Sequence, residues 1–279
     1  MESLTIAVVS SAIGGVAGKL TEKAWDSGKR WLTSYFKDHH PKAIKKAEQN
    51  ALHFLMELAE RVKQLEEEMK NDEALKQKIT SALEDPDFSS LLKDALIASS
   101  KTEAGDKHKI LARLVSERLR QQSDSLAALT ASLSCRAVEL MTIKQLRFLA
   151  VAAVVFFVRP PQLPPTISVG KYVDWLAHSL SPFLPIESLH MQELLHLEAL
   201  SCLRYEFYIE RDLKQILSGP FQPGGYWEID RFIHEDPIGK QLFRVWKEVL
   251  QHVHLTTVGV MVGVYVHDEL TGTRTRMTC

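Results

Sequence analysis

One heptad pattern constrains this chain more strongly than any other feature of its sequence. After Pro41, a residue suited to the first turn of a helix, apolar residues recur in alternating steps of four and three. They are Ala51, Leu55, Leu58, Val62, Leu65 and Met69. Since the opposite face is charged, as in the run from Glu66 to Lys70, the pattern predicts an amphipathic helix of about thirty residues over 41–71.

The apolar seam of this helix can be covered in two ways. A protein partner or a second copy of the chain could pack along it, as in a coiled coil. Other helices of the same chain could cover it equally well, because antiparallel helices pack through similar contacts. The first alternative predicts a non-enzymatic interaction or oligomerising protein, and the second predicts a core helix.

Further helices are indicated by their start signals and by their apolar periodicity. Asp85-Pro86 and Asp236-Pro237 each place an N-cap residue before a proline at the first helical position. From Ile110 to Leu119 the apolar residues recur at helical spacing, and Leu126 to Leu140 continues this inward-facing pattern. The number of helical patterns leaves little room for a large sheet, so the predicted fold class is mainly α.

The most apolar of these patterns runs from Phe148 to Val158. Arg147 and Arg159 close it on both sides, and Thr142 with Gln145 forms a capping box before it. Because a helix needs about 20 apolar residues to span a bilayer, we expect a buried core helix here.

The expected domain boundary follows directly after this helix. Residues 159–166 contain four prolines, which favour an extended connector over helix or sheet. We therefore expect a helical N-terminal bundle over 1–158 that contains the long heptad helix, a proline-rich linker over 159–166, and a smaller, mostly helical C-terminal domain over 167–279.

Two patterns compete in the segment 256–267. Valines occupy every second position from Val258 to Val266, which is typical of a strand. In a helix, however, Gly259 and Gly263 would lie four residues apart on one face and would let a neighbouring element approach closely. We expect a helix here, and a strand is the alternative.

The segment 5–20 is composed of apolar and small residues and has only a weakly polar second face. Its apolar helical face consists of Ile6, Val9, Ile13, Val16 and Leu20. One interpretation buries this face in a soluble core. The other predicts a membrane-perturbing effector, in which the segment is held against the protein at rest and released into a bilayer by a trigger.

No complete catalytic or ligand-binding signature accompanies these helices. The glycines around Lys19 resemble a phosphate loop, but Ile13 stands where its first glycine belongs and Leu20 stands where Ser or Thr must hold magnesium. His190 and His196 lack a third ligand for a catalytic zinc ion. We therefore expect no enzyme, no catalytic residues, no metal site and no cofactor.

Nucleic acid is not an expected partner either. The formal net charge is -1, so there is no general attraction to nucleic acid. The basic residues between positions 107 and 120 are interspersed with Glu117 and follow Asp106, and they lack aromatic neighbours for base stacking. We expect the arginines of this group to lie outside or at the edges of their helix. The group consists of Lys107, Lys109, Arg113, Arg118 and Arg120.

Cysteine usage indicates a reducing compartment. Cys135, Cys202 and Cys279 are odd in number, far apart and without C-x-x-C pairing. Cys135 and Cys202 lie in apolar patterns, where a free cysteine behaves as a small core residue. The expected location is the cytoplasm, with the membrane surface as the alternative if the segment 5–20 reaches it.

Three short motifs carry a resemblance to known proteins. They are Asp85-Pro86-Asp87-Phe88, the run from Leu140 to Leu146, and Leu255-Thr256-Thr257-Val258-Gly259. From Asp85 onward the chain resembles an uncharacterised family of bacterial, mainly helical cytoplasmic proteins. The last motif is also similar to the Leu-Thr-x-x-Gly pattern of the abortive-infection alpha group. That similarity implies a context of phage defence but no active-site residues.

Overall fold

A computed structural model describes residues 29–30, 32–70, 72–122, 124–160, 167–219 and 226–275. The segment 5–20, residues 161–166 of the expected linker, and Cys279 lie outside this part of the chain. The fold is mainly α-helical, as the sequence predicts. The chain forms two compact units, of which the first ends at Leu140 and the second begins at Met141.

In the described part of the first unit, five helices follow one another from Pro41 to Leu140. They are α1 (Pro41–Met69), α2 (Glu73–Glu84), α3 (Pro86–Ser100), α4 (Gly105–Arg118) and α5 (Leu126–Leu140). Helix α1 packs along α3 and α4, and α5 packs on the same two helices. The Asp85 side chain accepts a hydrogen bond from the Asp87 backbone N–H, so the predicted start of α3 is confirmed.

Arg118 corrects the expectation that the arginines between positions 107 and 120 lie outside or at the edges of their helix. Its side chain is 0% exposed. Nη2 donates to Asp85 Oδ2 at 2.8 Å, and Nε donates to Asp87 Oδ2 at 3.3 Å. Arg113 is also buried. Since Asp85 caps α3, the buried guanidinium joins the last turn of α4 to the first turn of α3.

In its described residues, the second unit contains seven α-helices and a small sheet. Its elements are α6 (Ile143–Phe156), α7 (Val169–Leu180), α8 (Met191–Ala199), β1 (Leu203–Tyr205), α9 (Leu213–Ser218), α10 (Tyr226–Glu235), α11 (Pro237–Glu248), a 3-10 turn (Leu250–His252), β2 (Val253–Leu255) and α12 (Thr257–Thr271). The two strands are antiparallel, with Leu203 opposite Leu255.

Helix α12 settles the two competing patterns near the C-terminus in favour of the helix. An ideal Cβ at Gly263 would lie 2.3 Å from the carbonyl oxygen of Leu149 in α6, so only glycine allows this approach. Buried residues surround nearly the whole of α12 from Val258 to Asp268. A helix that is buried all round loses its 3.6-residue polar stripe, and the alternating valines therefore gave a misleading strand signal.

Helix α6 is the predicted core helix, and it lies in the second unit. Its residues from Phe148 to Val155 are all buried, and its most extensive helix partner is α12. Thr142 and Gln145 form the predicted capping box. Because α6 packs on α12, the division between the units falls before α6, whereas the sequence places it after Val158.

Candidate interaction surface

The predicted interaction seam of α1 lies in the core of the first unit. Ala51, Leu55, Leu58, Val62, Leu65 and Met69 are each at most 7% exposed. The chain's own helices α3 and α4 pack against α1. In the structure the seam is therefore covered by helices of the same chain.

A different stripe of apolar residues is exposed on α5. Leu126, Leu129, Leu133 and Leu140 are 67%, 51%, 52% and 58% exposed, and we call these four residues the leucine edge. They follow one another in steps of three, four and seven, so they share one side of the helix. Arg136 occupies the intervening heptad position and is also exposed.

The opposite face of α5 explains why its leucines point outward. The buried residues of this helix include Ala128, Ala131, Cys135 and Val138, which are small and pack closely. Helix α5 thus packs on α3 and α4 through small side chains and presents its largest apolar ones to solvent. A single exposed leucine is common on protein surfaces, but four exposed leucines along one side of a helix indicate a binding surface.

Polar contacts flank the leucine edge. Arg136 Nε donates to Asp94 Oδ2 at 3.1 Å. Lys101 Nζ lies 2.7 Å from Glu139 Oε1, and Lys107 Nζ donates to the Glu139 carbonyl oxygen. An apolar centre with a polar rim is the usual composition of a protein interface.

The two described cysteines are core residues, as the sequence predicts. Burial raises the pKa of the Cys135 thiol, and the nearby carboxylates of Asp94 and Glu139 act in the same direction. Burial also raises the pKa of Cys202 to about 12. Both thiols stay protonated near neutral pH, so neither has the character of a nucleophile.

Exposed aromatic side chains form a second apolar surface, in the second unit. Phe207 and Tyr208, which follow β1, are 65% and 96% exposed. The Phe207 ring stacks on His252 with 5.9 Å between the ring centroids. Arg211 supports this loop, because its guanidinium lies 4.4 Å from the centre of the Phe156 ring and donates to backbone carbonyl groups near the 3-10 turn. These residues lack the helical spacing of the leucine edge.

The histidines considered as metal ligands lie at the two ends of α8, His190 at its N-cap and His196 in its last turn, and both take part in hydrogen bonds. Glu193 Oε2 accepts from the His190 backbone N–H at 2.9 Å and from Lys144 Nζ at 2.8 Å. His196 Nδ1 lies 3.0 Å from Gln145 Nε2. Within the described residues, no group of three or more His, Cys, Asp or Glu side chains is arranged to hold a metal ion.

Glu193 provides a prediction about pH. Burial opposes its ionisation, but hydrogen bonds from Lys144 and from the His190 backbone together hold its pKa below the ordinary value. A carboxylate whose pKa is lowered by folding stabilises the folded state at pH values above the ordinary glutamate range. This stabilisation is lost as the pH falls through the lowered pKa, because the carboxylate is then protonated. We expect Glu193→Gln to destabilise the protein at pH 7 and to differ little from wild type at pH 3. Urea unfolding at both pH values measures this, and an equal difference at both would contradict it.

The sequence did not predict the leucine edge, because leucines at helical spacing were expected to face inward. A usable signal was present in α5, where one stripe consists of leucines and another of alanine, cysteine and valine. The small residues define the buried stripe because they allow helices to approach closely. Which stripe is covered, however, depends on α3 and α4, and the sequence of α5 alone does not reveal their position.

The fold and this surface define a mainly helical protein with an exposed apolar helix edge. A model of an uncharacterised protein family matches residues 18–224, which is well over half of the chain. The chain therefore belongs to this family. Comparisons with curated proteins and with solved structures gave no match. None of the helices in the described ranges combines the length and hydrophobicity needed to cross a membrane.

Proposed function

We propose that this is a non-enzymatic interaction protein of bacterial type, in which the leucine edge of α5 binds an apolar helix. The exposure of four leucines along one side of α5 supports the proposal. Leucines in steps of three and four are suited to a helix that carries the same spacing, because side chains of one helix then fit between those of the other. The partner surface is thus α5 and not the seam of α1.

Phage defence in the cytoplasm is the proposed context of this interaction. Its support is the similarity of Leu255-Thr256-Thr257-Val258-Gly259 to the abortive-infection alpha group. In the structure, Thr256 of this motif is the N-cap of α12, and its side chain accepts a hydrogen bond from Gly259 N–H. The motif therefore has a clear structural role in this chain, and the defence context stays a proposal.

A membrane-perturbing effector that uses residues 5–20 is the alternative function. The exposed leucine edge supports this alternative, since an apolar surface of this kind could hold such a segment at rest. Liposome leakage measured with and without residues 2–20 tests this alternative. Equal leakage by the two chains would discard it.

The leucine edge yields a direct prediction for the proposed function. Lysine has nearly the helix propensity of leucine, so Leu129→Lys combined with Leu133→Lys is nearly neutral on a free surface. If the edge binds a helix, the double variant loses about 2 kcal/mol or more of unfolding free energy, or loses concentration-dependent association. Urea unfolding and light scattering across concentration measure these two effects.

Met56→Lys is the matched control, because Met56 is an exposed apolar residue of α1 with an exposed fraction of 53%. We expect it to change the unfolding free energy by no more than about 0.5 kcal/mol. If the double variant changes neither stability nor mass relative to this control, the leucine edge is a free surface and the proposed function is wrong.

A further inference from the structure

We infer that the helix bound by the leucine edge is this chain's own segment 6–20, which lies outside the described residues. The inference rests on the proposed function and names its partner. Two matching stripes of apolar residues motivate it. One stripe is exposed on α5 without a described neighbour covering it, and the other occurs before Lys29, the first described residue.

The two stripes have the same spacing and the same length. Ile6, Val9, Ile13, Val16 and Leu20 follow one another in steps of three, four, three and four. On α5 the same steps join Leu126, Leu129, Leu133, Arg136 and Leu140. Both stripes therefore span four half-heptads, about 21 Å of helix, and each can place its residues between those of the other.

Arg136 is compatible with such a contact. Its charged group is turned toward Asp94 by the hydrogen bond of 3.1 Å. The aliphatic part of an arginine can cover apolar surface while its guanidinium stays at the polar rim. Arg136 therefore adds a charge at the border of the stripe on α5 without breaking its apolar contact surface.

The size of the leucine edge favours a tethered segment over a second copy. Even large aromatic residues bury only about 150–250 Å² each, and the four leucines are smaller and already about half covered. The edge therefore provides far less than the ~800 Å² per partner of a stable interface between separate proteins. A covalently linked segment has a millimolar effective concentration and needs less contact area.

The chain between the two stripes is long enough. Nine peptide steps separate Leu20 from Lys29, the first described residue, and they reach about 30 Å when extended. A unit of about 110 residues has a radius of gyration near 13 Å. An extended linker of this length covers about a quarter of the way around such a unit, so the segment reaches α5 when the chain enters from an adjoining side.

Docking would also control when the segment becomes helical and accessible. Gly14, Gly15 and Gly18 lower its helix propensity, and an isolated helix of this length is marginal in water. The segment gains its helical structure from the surface that it covers. Covered by the leucine edge, its apolar face is withheld from bilayers and from other proteins.

Disulfide crosslinking in the full chain tests the inference. Ile13 and Leu133 are the central residues of the two stripes, so they meet whichever way the segment runs along α5. We expect a chain with Ile13→Cys, Leu133→Cys and Cys279→Ser to form an intramolecular disulfide under mild copper phenanthroline oxidation. At micromolar protein this reaction should be at least about tenfold faster than any intermolecular one, because of the millimolar effective concentration.

Two control pairs test which face of the segment makes the contact and whether the contact is made with the leucine edge. Ser11→Cys with Leu133→Cys places the thiol on the opposite face of the segment. Ile13→Cys with Met56→Cys replaces the leucine edge by an exposed residue of α1. We expect both pairs to react much more slowly than the central pair, because a disulfide needs Cα atoms within about 7 Å. Equal rates for the three pairs, or a disulfide that joins two copies, would overturn the inference.

The crosslink and the lysine variant separate two kinds of failure. One outcome is that the central pair fails to react while Leu129→Lys with Leu133→Lys still changes stability or mass. In that case the leucine edge binds another helix, and only the segment 6–20 is excluded as its partner. If the lysine variant is also without effect, the proposed function falls together with this inference.

Discussion

Replacing Arg118 with methionine should lower the unfolding free energy of the protein by about 3–5 kcal/mol, the range observed when one partner of a buried ion pair is removed. The guanidinium is 0% exposed and contacts both Asp85 and Asp87. Without it, the Asp85 carboxylate, which is only 16% exposed, loses its counter-charge while remaining largely withdrawn from water. Urea unfolding followed by circular dichroism measures the loss.

Arg136→Met is the control for this substitution. Arg136 also pairs with an aspartate, but its side chain is 66% exposed, and exposed ion pairs contribute only about 0–1 kcal/mol. Arg118→Lys should fall between the two, because lysine keeps the charge but cannot contact both carboxylates through a planar fork. Similar losses for Arg118→Met and Arg136→Met would show that the buried cation does not hold α3 and α4 together.

Gly263→Val should destabilise the second unit by about 3 kcal/mol or more, at or beyond the upper end of the range for overpacked cores. An added Cβ would lie 2.3 Å from the Leu149 carbonyl oxygen and 2.8 Å from the Ala153 Cβ. Both atoms belong to the buried helix α6, and a backbone carbonyl cannot turn aside as a flexible side chain does. Helices α6 and α12 would have to separate, which exposes apolar surface along their contact.

Gly105→Ala is the matched glycine substitution. An added Cβ at Gly105 meets nothing within 4 Å, and Gly105 is the first residue of α4. Alanine there should be neutral or stabilising by up to about 1 kcal/mol, because it reduces the conformational freedom of the unfolded chain. Urea unfolding of the two variants gives the comparison. A loss of less than 1 kcal/mol for Gly263→Val would mean that α6 and α12 can repack without cost.

The exposed leucines and the buried arginine show where sequence patterns mislead. In α5 the leucines have helical spacing, yet the small residues on another face are the ones that pack. In α4 the arginine at position 118 would ordinarily stand in solvent, yet two aspartates at the start of α3 allow its burial. In both helices, whether a residue is buried depends on residues of other helices, which are far away in the sequence.

The sequence by itself determined where several helices begin. Asp85-Pro86, Asp236-Pro237 and the pair Thr142 and Gln145 mark starts that the structure confirms. Caps of this kind form hydrogen bonds with backbone groups within three residues, so they depend only on neighbouring residues and can be recognised in the sequence. The heptad pattern likewise determined the length of α1, which runs from Pro41 to Met69.

Only the tertiary structure decided which surfaces these helices cover. It placed the seam of α1 inside the first unit, left the leucine edge of α5 outside, and assigned α6 to the second unit through its contact with α12. Burial follows from contacts between segments far apart in the chain, and apolar periodicity identifies a face without identifying its neighbour. The candidate surface therefore became visible only when the packing of α5 was known.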